Sequence, residues 1–222
     1  ENLEKSTFST SSSSILVYCD MTTAGGGLML VGNALTNETA GKSLDDYITG
    51  FGDPTKKSIW FGLDLLNLYT NYQPSSLRLN LFRCAHNGQP ALATDCTYDQ
   101  FAVLDKSTDY QVNIPKACSG SEQNFYDGWA RWELSQPGPP FLAYDNDNST
   151  AHCSETFQQT GFWYDTSYRC GSANLNGVRY TCDNIPPAGA DNYLYWAGEP
   201  IQQAELYLRP KGFPNYDKPL NG

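Results

Sequence analysis

Seven cysteines, Cys19, Cys84, Cys96, Cys118, Cys153, Cys170 and Cys182, constrain this chain more than any other feature. None forms a Cys-x-x-Cys pair, and His86 and His152 make no cluster with them. Disulfides therefore fit better than zinc or thioredoxin-type chemistry, and disulfides persist in oxidising compartments, so the chain is expected to be secreted. Seven is odd, so one thiol must stay free, pair with another chain, or have lost its partner to truncation. Cys19 is the candidate. Two sequons, Asn37-Glu38-Thr39 and Asn148-Ser149-Thr150, agree with secretion.

At 222 residues, with 40% hydrophobic and 14% aromatic residues, the chain has the make-up of one globular domain, residues 1–222. A formal net charge of −10 disfavours nucleic acid and anionic membrane as partners. No apolar run is long enough to insert into a membrane. The start at Glu1, without Met or a signal-type segment, suggests a processed or excised soluble piece. Separately, because one shallow binding site holds its ligand weakly, the chain is expected to be multimeric or part of a larger multidomain chain.

Periodicity points to an α+β fold dominated by antiparallel sheet. Ile15–Tyr18 and Leu28–Val31 read as strands joined through Gly25-Gly26-Gly27, and Ser43 as the cap of a short helix through Tyr47. The leucines of Trp60–Leu68 fit one helical face. Leu77, Leu79 and Leu81 alternate with Arg78 and Asn80 as a strand, followed by short strands at Phe101–Leu104, Tyr110–Ile114 and Ala204–Leu208. The expected subdomains are 1–50, a central sheet over 51–134 and a loop-rich 135–222, where binding sites commonly reside.

The stretch Asp145-Asn146-Asp147-Asn148-Ser149-Thr150-Ala151-His152-Cys153 joins a possible cation loop to a cysteine. Alternate residues of an extended loop face the same way. Asp145 and Asp147 can turn their carboxylates inward while the carbonyls of Ser149 and Ala151 complete an oxygen shell suited to Ca²⁺. The alternative is a metal-free surface turn rich in Asn and Asp. Catalysis is not expected: neither histidine lies beside a recognisable nucleophile motif, the best carboxylate pair is committed to calcium, and Gly25-Gly26-Gly27 lacks the Gly-Lys-Ser/Thr of a phosphate loop.

Four segments in order resemble the fibrinogen-related domain, the carboxy-terminal globe of fibrinogen chains, ficolins, tachylectins, angiopoietins and tenascins. Val17-Tyr18-Cys19-Asp20-Met21 with the glycine run resembles its opening, and Gly50-Phe51-Gly52 with Phe61-Gly62-Leu63-Asp64 the next stretch. Gly161-Phe162-Trp163-Tyr164, Cys170 and Asn174-Leu175-Asn176-Gly177 resemble the late signature, and Glu205-Leu206-Tyr207-Leu208-Arg209-Pro210 the close. The resemblance implies calcium at Asp145, Asp147, Ser149 and Ala151, and a Cys153–Cys170 disulfide. Outside the usual family pattern, Cys84–Cys96 and Cys118–Cys182 are the remaining expected pairs.

Lectins of this family hold the acetyl group of N-acetylated sugars in an aromatic pocket beside the calcium loop. The resemblance places Phe157, Arg169, Cys170 and Gly171 there, with Tyr193, Tyr195 and Trp196 completing the wall. Phe157 replaces the carboxylate with which fibrin holds a peptide amino terminus, and an apolar ring suits a methyl group better than an ammonium. Arg169-Cys170 resembles a peptide bond that is cis in tachylectins. Two positions depart from the pattern: Gly171 stands where a pocket histidine is expected, and Ala190, before Asp191-Asn192, where fibrin has tyrosine. The leading expectation is a secreted, calcium-dependent domain binding glycans, N-acetylated sugars above all. The competing one is an extracellular protein-binding adhesion or receptor-ligand domain whose calcium is structural.

Overall fold

The computed structural model describes residues 15–33, 37–120, 127–129, 138–166, 170–187 and 192–214. In chain order the elements are β1 (Cys19–Asp20), β2 (Leu28–Asn33), α1 (Leu44–Thr49), β3 (Phe51–Asp53), β4 (Ser58–Trp60), α2 (Leu63–Tyr72), β5 (Ser75–Arg83), β6 (Leu92–Val103), β7 (Val112–Asn113) and β8 (Ser119–Gly120). There follow α3 (Cys153–Thr156), β9 (Ala173–Asn174), β10 (Tyr195–Trp196), β11 (Glu199–Pro200) and β12 (Gln203–Pro210).

Alternation builds the sheet. In β5 the side chains of Leu77, Leu79 and Leu81 are buried while Arg78 and Asn80 are half-buried on the other face. β5 pairs with β6 on one side and with β12 on the other, setting Leu79 opposite Leu206 and Leu77 opposite Leu208. The main path runs β3-β4-β2-β12-β5-β6-β7, with β1 on β2 and β8 on β6, and every pairing in it is antiparallel. The sheet thus reaches beyond 51–134. β2 comes from the first stretch and the central β12 from the last, where Leu208 lies between Met29 of β2 and Leu77 of β5, and Leu206 beside Leu79.

The α+β reading with mainly antiparallel sheet holds, with local corrections. Pairing begins at Cys19, after Ile15–Tyr18, although the Tyr18 carbonyl already accepts the Leu30 N–H at 2.9 Å. α1 starts where Ser43 predicts: its hydroxyl accepts the Asp46 N–H at 3.1 Å and the Asp46 carboxylate accepts the Ser43 N–H at 2.9 Å. α2 begins at Leu63, not Trp60, which closes β4. Gly62 between them has φ +97°, and a Cβ there would lie 2.8 Å from the Ile48 carbonyl oxygen, so the chain turns through a conformation few other residues adopt. Phe101–Leu104 proves to be the end of a longer strand, and the strand at Tyr110 shortens to β7 because Tyr110 itself has φ +53°.

Three disulfides tie the fold: Cys84–Cys182, Cys96–Cys118 and Cys153–Cys170, with Cα separations of 5.4, 5.5 and 5.4 Å. The expected Cys84–Cys96 and Cys118–Cys182 pairs are corrected. The β5–β6 register sets Cys96 opposite Leu79, five residues before Cys84, roughly 16 Å along a strand and far beyond disulfide reach. Cys96 instead faces β8, which directly follows Cys118. Cys84, just past the end of β5, reaches Cys182. Cys19, half-buried in β1, is the cysteine outside these three pairs.

Candidate functional site

Beneath the C-terminal loops lies an aromatic core. Trp163 packs edge-on against Phe141 at 5.0 Å and near Trp60 and Trp129, at 5.9 and 5.5 Å. Its indole N–H donates to the Tyr110 carbonyl at 2.7 Å. Leu142 and Phe162 exchange both backbone hydrogen bonds at 3.0 Å, pinning the start of the Asp/Asn-rich loop to this core.

From there the loop closes on itself. The Asn146 side chain accepts the Ala143 N–H at 2.6 Å and donates to the Phe141 carbonyl at 3.1 Å. Asp145, exposed, accepts the Leu44 N–H at 2.8 Å, joining the loop to the first turn of α1. The Asp147 carboxylate accepts from the Ser149 N–H at 3.0 Å, the Ser149 hydroxyl at 2.5 Å and the Ser154 N–H at 2.7 Å. The Ser149 carbonyl accepts from the His152 N–H at 3.1 Å, and the Ala151 carbonyl from the Thr156 hydroxyl at 3.2 Å. Among the described residues no three His, Cys, Asp or Glu side chains gather as a metal site. A cation here would have to use the two carboxylates together with the Ser149 and Ala151 carbonyls. That all-oxygen donor set has the chemistry of a hard-cation site, since each carbonyl and carboxylate has lone pairs beyond those already engaged.

The residues assigned to a ligand pocket divide. Phe157 is 1% exposed, stacked on Tyr164 at 5.1 Å and tilted against Tyr195 at 5.5 Å. The Tyr195 hydroxyl donates to the Gly171 carbonyl at 3.1 Å, so Phe157, Cys170, Gly171 and Tyr195 share one neighbourhood. Trp196 is buried in β10. Tyr193 stands apart, half-buried, edge-on to Tyr180 at 6.4 Å. Gly171 has φ +89°, and a Cβ there would come within 3.2 Å of the Asp165 Cβ, so a histidine at this position would be strained. Arg169, with the Arg169-Cys170 peptide, and Ala190 and Asp191 lie outside the described residues.

Buried tyrosines hold this region together. Burial raises the Tyr164 hydroxyl well above its ordinary range, the Thr160 bond opposing it, and the phenol stays neutral and donates to the Thr160 carbonyl at 2.8 Å. Burial likewise raises Tyr47, which donates to the Thr39 carbonyl at 2.9 Å and accepts the Gly161 N–H at 2.9 Å. The Asn174 amide donates to the Thr160 hydroxyl at 3.0 Å, and the Asn176 amide to the Gly161 carbonyl at 2.8 Å. The Asn-Leu-Asn-Gly run is therefore a buried brace.

Tyr144 was missed from the sequence. It is 47% exposed beside Asp145, and its only signal was an aromatic ring closing the apolar run Phe141-Leu142-Ala143 just before the acidic loop. A separate groove of about 430 Å³ lies on the sheet face away from the core. Its charged residues are engaged with neighbours: Arg78 pairs with Asp95 at 3.1 Å, and Glu205 accepts from Gln203 and Tyr207 at 3.1 Å each.

Comparison with known proteins places the chain. Residues 3–211 match the family described as fibrinogen beta and gamma chains, C-terminal globular domain. Tenascin of Mus musculus is 32% identical over 90% of this chain, which spans 9% of tenascin's length. The fibrinogen-like globe of human ANGPTL2 superposes with a TM-score of 0.75 at 20% identity, covering 94% of this chain and 92% of that one. The lamprey fibrin D-dimer, complexed with the peptide Gly-His-Arg-Pro-amide, gives 0.69 at 20% identity over 99% of this chain and 70% of that one.

Proposed function

This chain belongs to the family of fibrinogen C-terminal globular domains, and on that premise we propose that it is an extracellular, non-catalytic binding domain whose ligand is a protein or peptide. The observation that carries this reading is the division of the aromatic residues around the acidic loop. Phe157 and Trp196 are spent in internal packing, while Tyr144 stands 47% exposed at the loop's edge. Exposed tyrosine supplies large, rigid contact area to a protein partner, whereas the expected acetyl pocket needs its assigned rings turned toward a cavity. His152 and Glu155 are exposed along the same segment and would form the polar rim. Three disulfides support the extracellular placement.

A calcium ion held by Asp145, Asp147 and the Ser149 and Ala151 carbonyls belongs to this proposal. It would add to a loop already closed by hydrogen bonds, so its role is to stiffen the presented surface.

The deciding experiment presents the domain multivalently to extracellular matrix before and after enzymatic removal of glycans, with Tyr144→Ala and Phe157→Ala alongside. The expected result is binding that survives deglycosylation, is lost after protease treatment of the matrix, and weakens tenfold or more in Tyr144→Ala. Retention on N-acetylglucosamine beads in calcium, with release by chelator, would overturn the protein reading in favour of the lectin.

A further inference from the structure

A small cavity, with about 10 Å³ open to the centre of a water molecule, lies where the edge of the sheet meets the C-terminal loops. Asn33, Thr39, Ser58, Trp60 and Asn176 are among its lining residues. Asn33 is the last residue of β2 and is 3% exposed, and Thr39 is 4% exposed. Both the amide nitrogen and the amide oxygen of Asn33, and the hydroxyl of Thr39, have no hydrogen-bond partner among the described residues. Native interiors rarely leave such groups unmatched, because a polar group buried alone has given up its hydrogen bonds to water and gained none in return.

The groups specify the occupant. Asn33 offers a donor and an acceptor at once. Glu38, exposed, also lines the cavity and its charge disfavours an anion; a cation would satisfy the amide oxygen but face the N–H₂ dipole unfavourably, and an apolar group would satisfy neither. Only a small molecule that both donates and accepts meets the set, and the volume admits nothing larger than water.

From this we infer that the cavity is a binding site for an ordered water that bridges Asn33 and Thr39. The water stitches the end of β2 to the turn before α1, beside Asn176 of the buried brace. That turn already reaches the C-terminal region through the Tyr47 hydroxyl, which holds the Thr39 carbonyl and the Gly161 N–H. The bridge thus belongs to the seam between the sheet and the loops.

A high-resolution crystal structure of the unaltered domain, with denaturant unfolding of Asn33→Leu, Thr39→Val and the double variant, tests it. The expected result is water density within hydrogen-bond distance of both side chains. Each single variant should raise the unfolding constant about fivefold or more, and the double variant should fall well short of the product, because both remove the same bridge. The inference is overturned by an empty cavity, by direct hydrogen bonds from both side chains to protein atoms, or by an Asn33→Leu unfolding constant that is unchanged or lower. The crystallographic arm stands even if a variant fails to fold.

Discussion

The central sheet and the C-terminal region reach order by different means. In the sheet, alternating leucines of β5 and β12 meet across an antiparallel ladder, so backbone pairing and apolar burial are set by the same periodicity. Among the described residues between 138 and 200, regular structure shrinks to a one-turn helix and two-residue strands. There order comes from the Cys153–Cys170 disulfide, from ring stacking on Phe157 and edge-on packing against Trp163, and from side chains that reach backbone groups. A region held by point contacts can vary its surface loops without disturbing a ladder. That is the physical reason for binding surfaces to settle there.

Damage to the sheet should be felt by the whole domain. Leu79→Ala removes a buried side chain from the middle of β5 and should cost about 2–5 kcal/mol, read as a lower denaturant midpoint for the whole domain. Opening the loop should do something different. A Cys153→Ala/Cys170→Ala variant should lower the free energy of local opening in the loops by about 3 kcal/mol, by the chain-entropy estimate for its 17-residue separation. Faster amide exchange should be confined to the loops, and loss of protection in β5 and β12 as well would show that the two regions are one cooperative unit.

Alkaline pH probes the junction more gently. Burial pushes the Tyr180 hydroxyl up to about 12, with Arg83 opposing and Glu199 adding to the rise. An unfolded tyrosine titrates near 10. Below that pH the contribution of Tyr180 is constant. Between about 10 and 12 the unfolded chain releases a proton that the folded one keeps, so stability falls as pH rises. Tyr180→Phe should flatten that part of a stability profile, and an unchanged slope would remove Tyr180 from the account. The smallest effect on stability is expected from Tyr144→Ala, within about 0.5 kcal/mol, despite its loss of binding.

Much of the sheet was legible because a strand's period is local: Leu77, Leu79 and Leu81 name their own face, and Ser43 with Asp46 writes its own cap. The family was legible for a related reason, since its signatures are short runs whose residues stay neighbours in the fold. The sequence alone determined the α+β class, the odd cysteine count and the residues of the acidic loop. Tertiary structure decided the rest, because it depends on register and on which groups meet across the fold. It sent Cys84 to Cys182 once the hairpin placed Cys96 opposite Leu79. It also turned Phe157 inward between Tyr164 and Tyr195 while leaving Tyr144 outside, and spacing along a chain carries no signal for which ring a loop will bury.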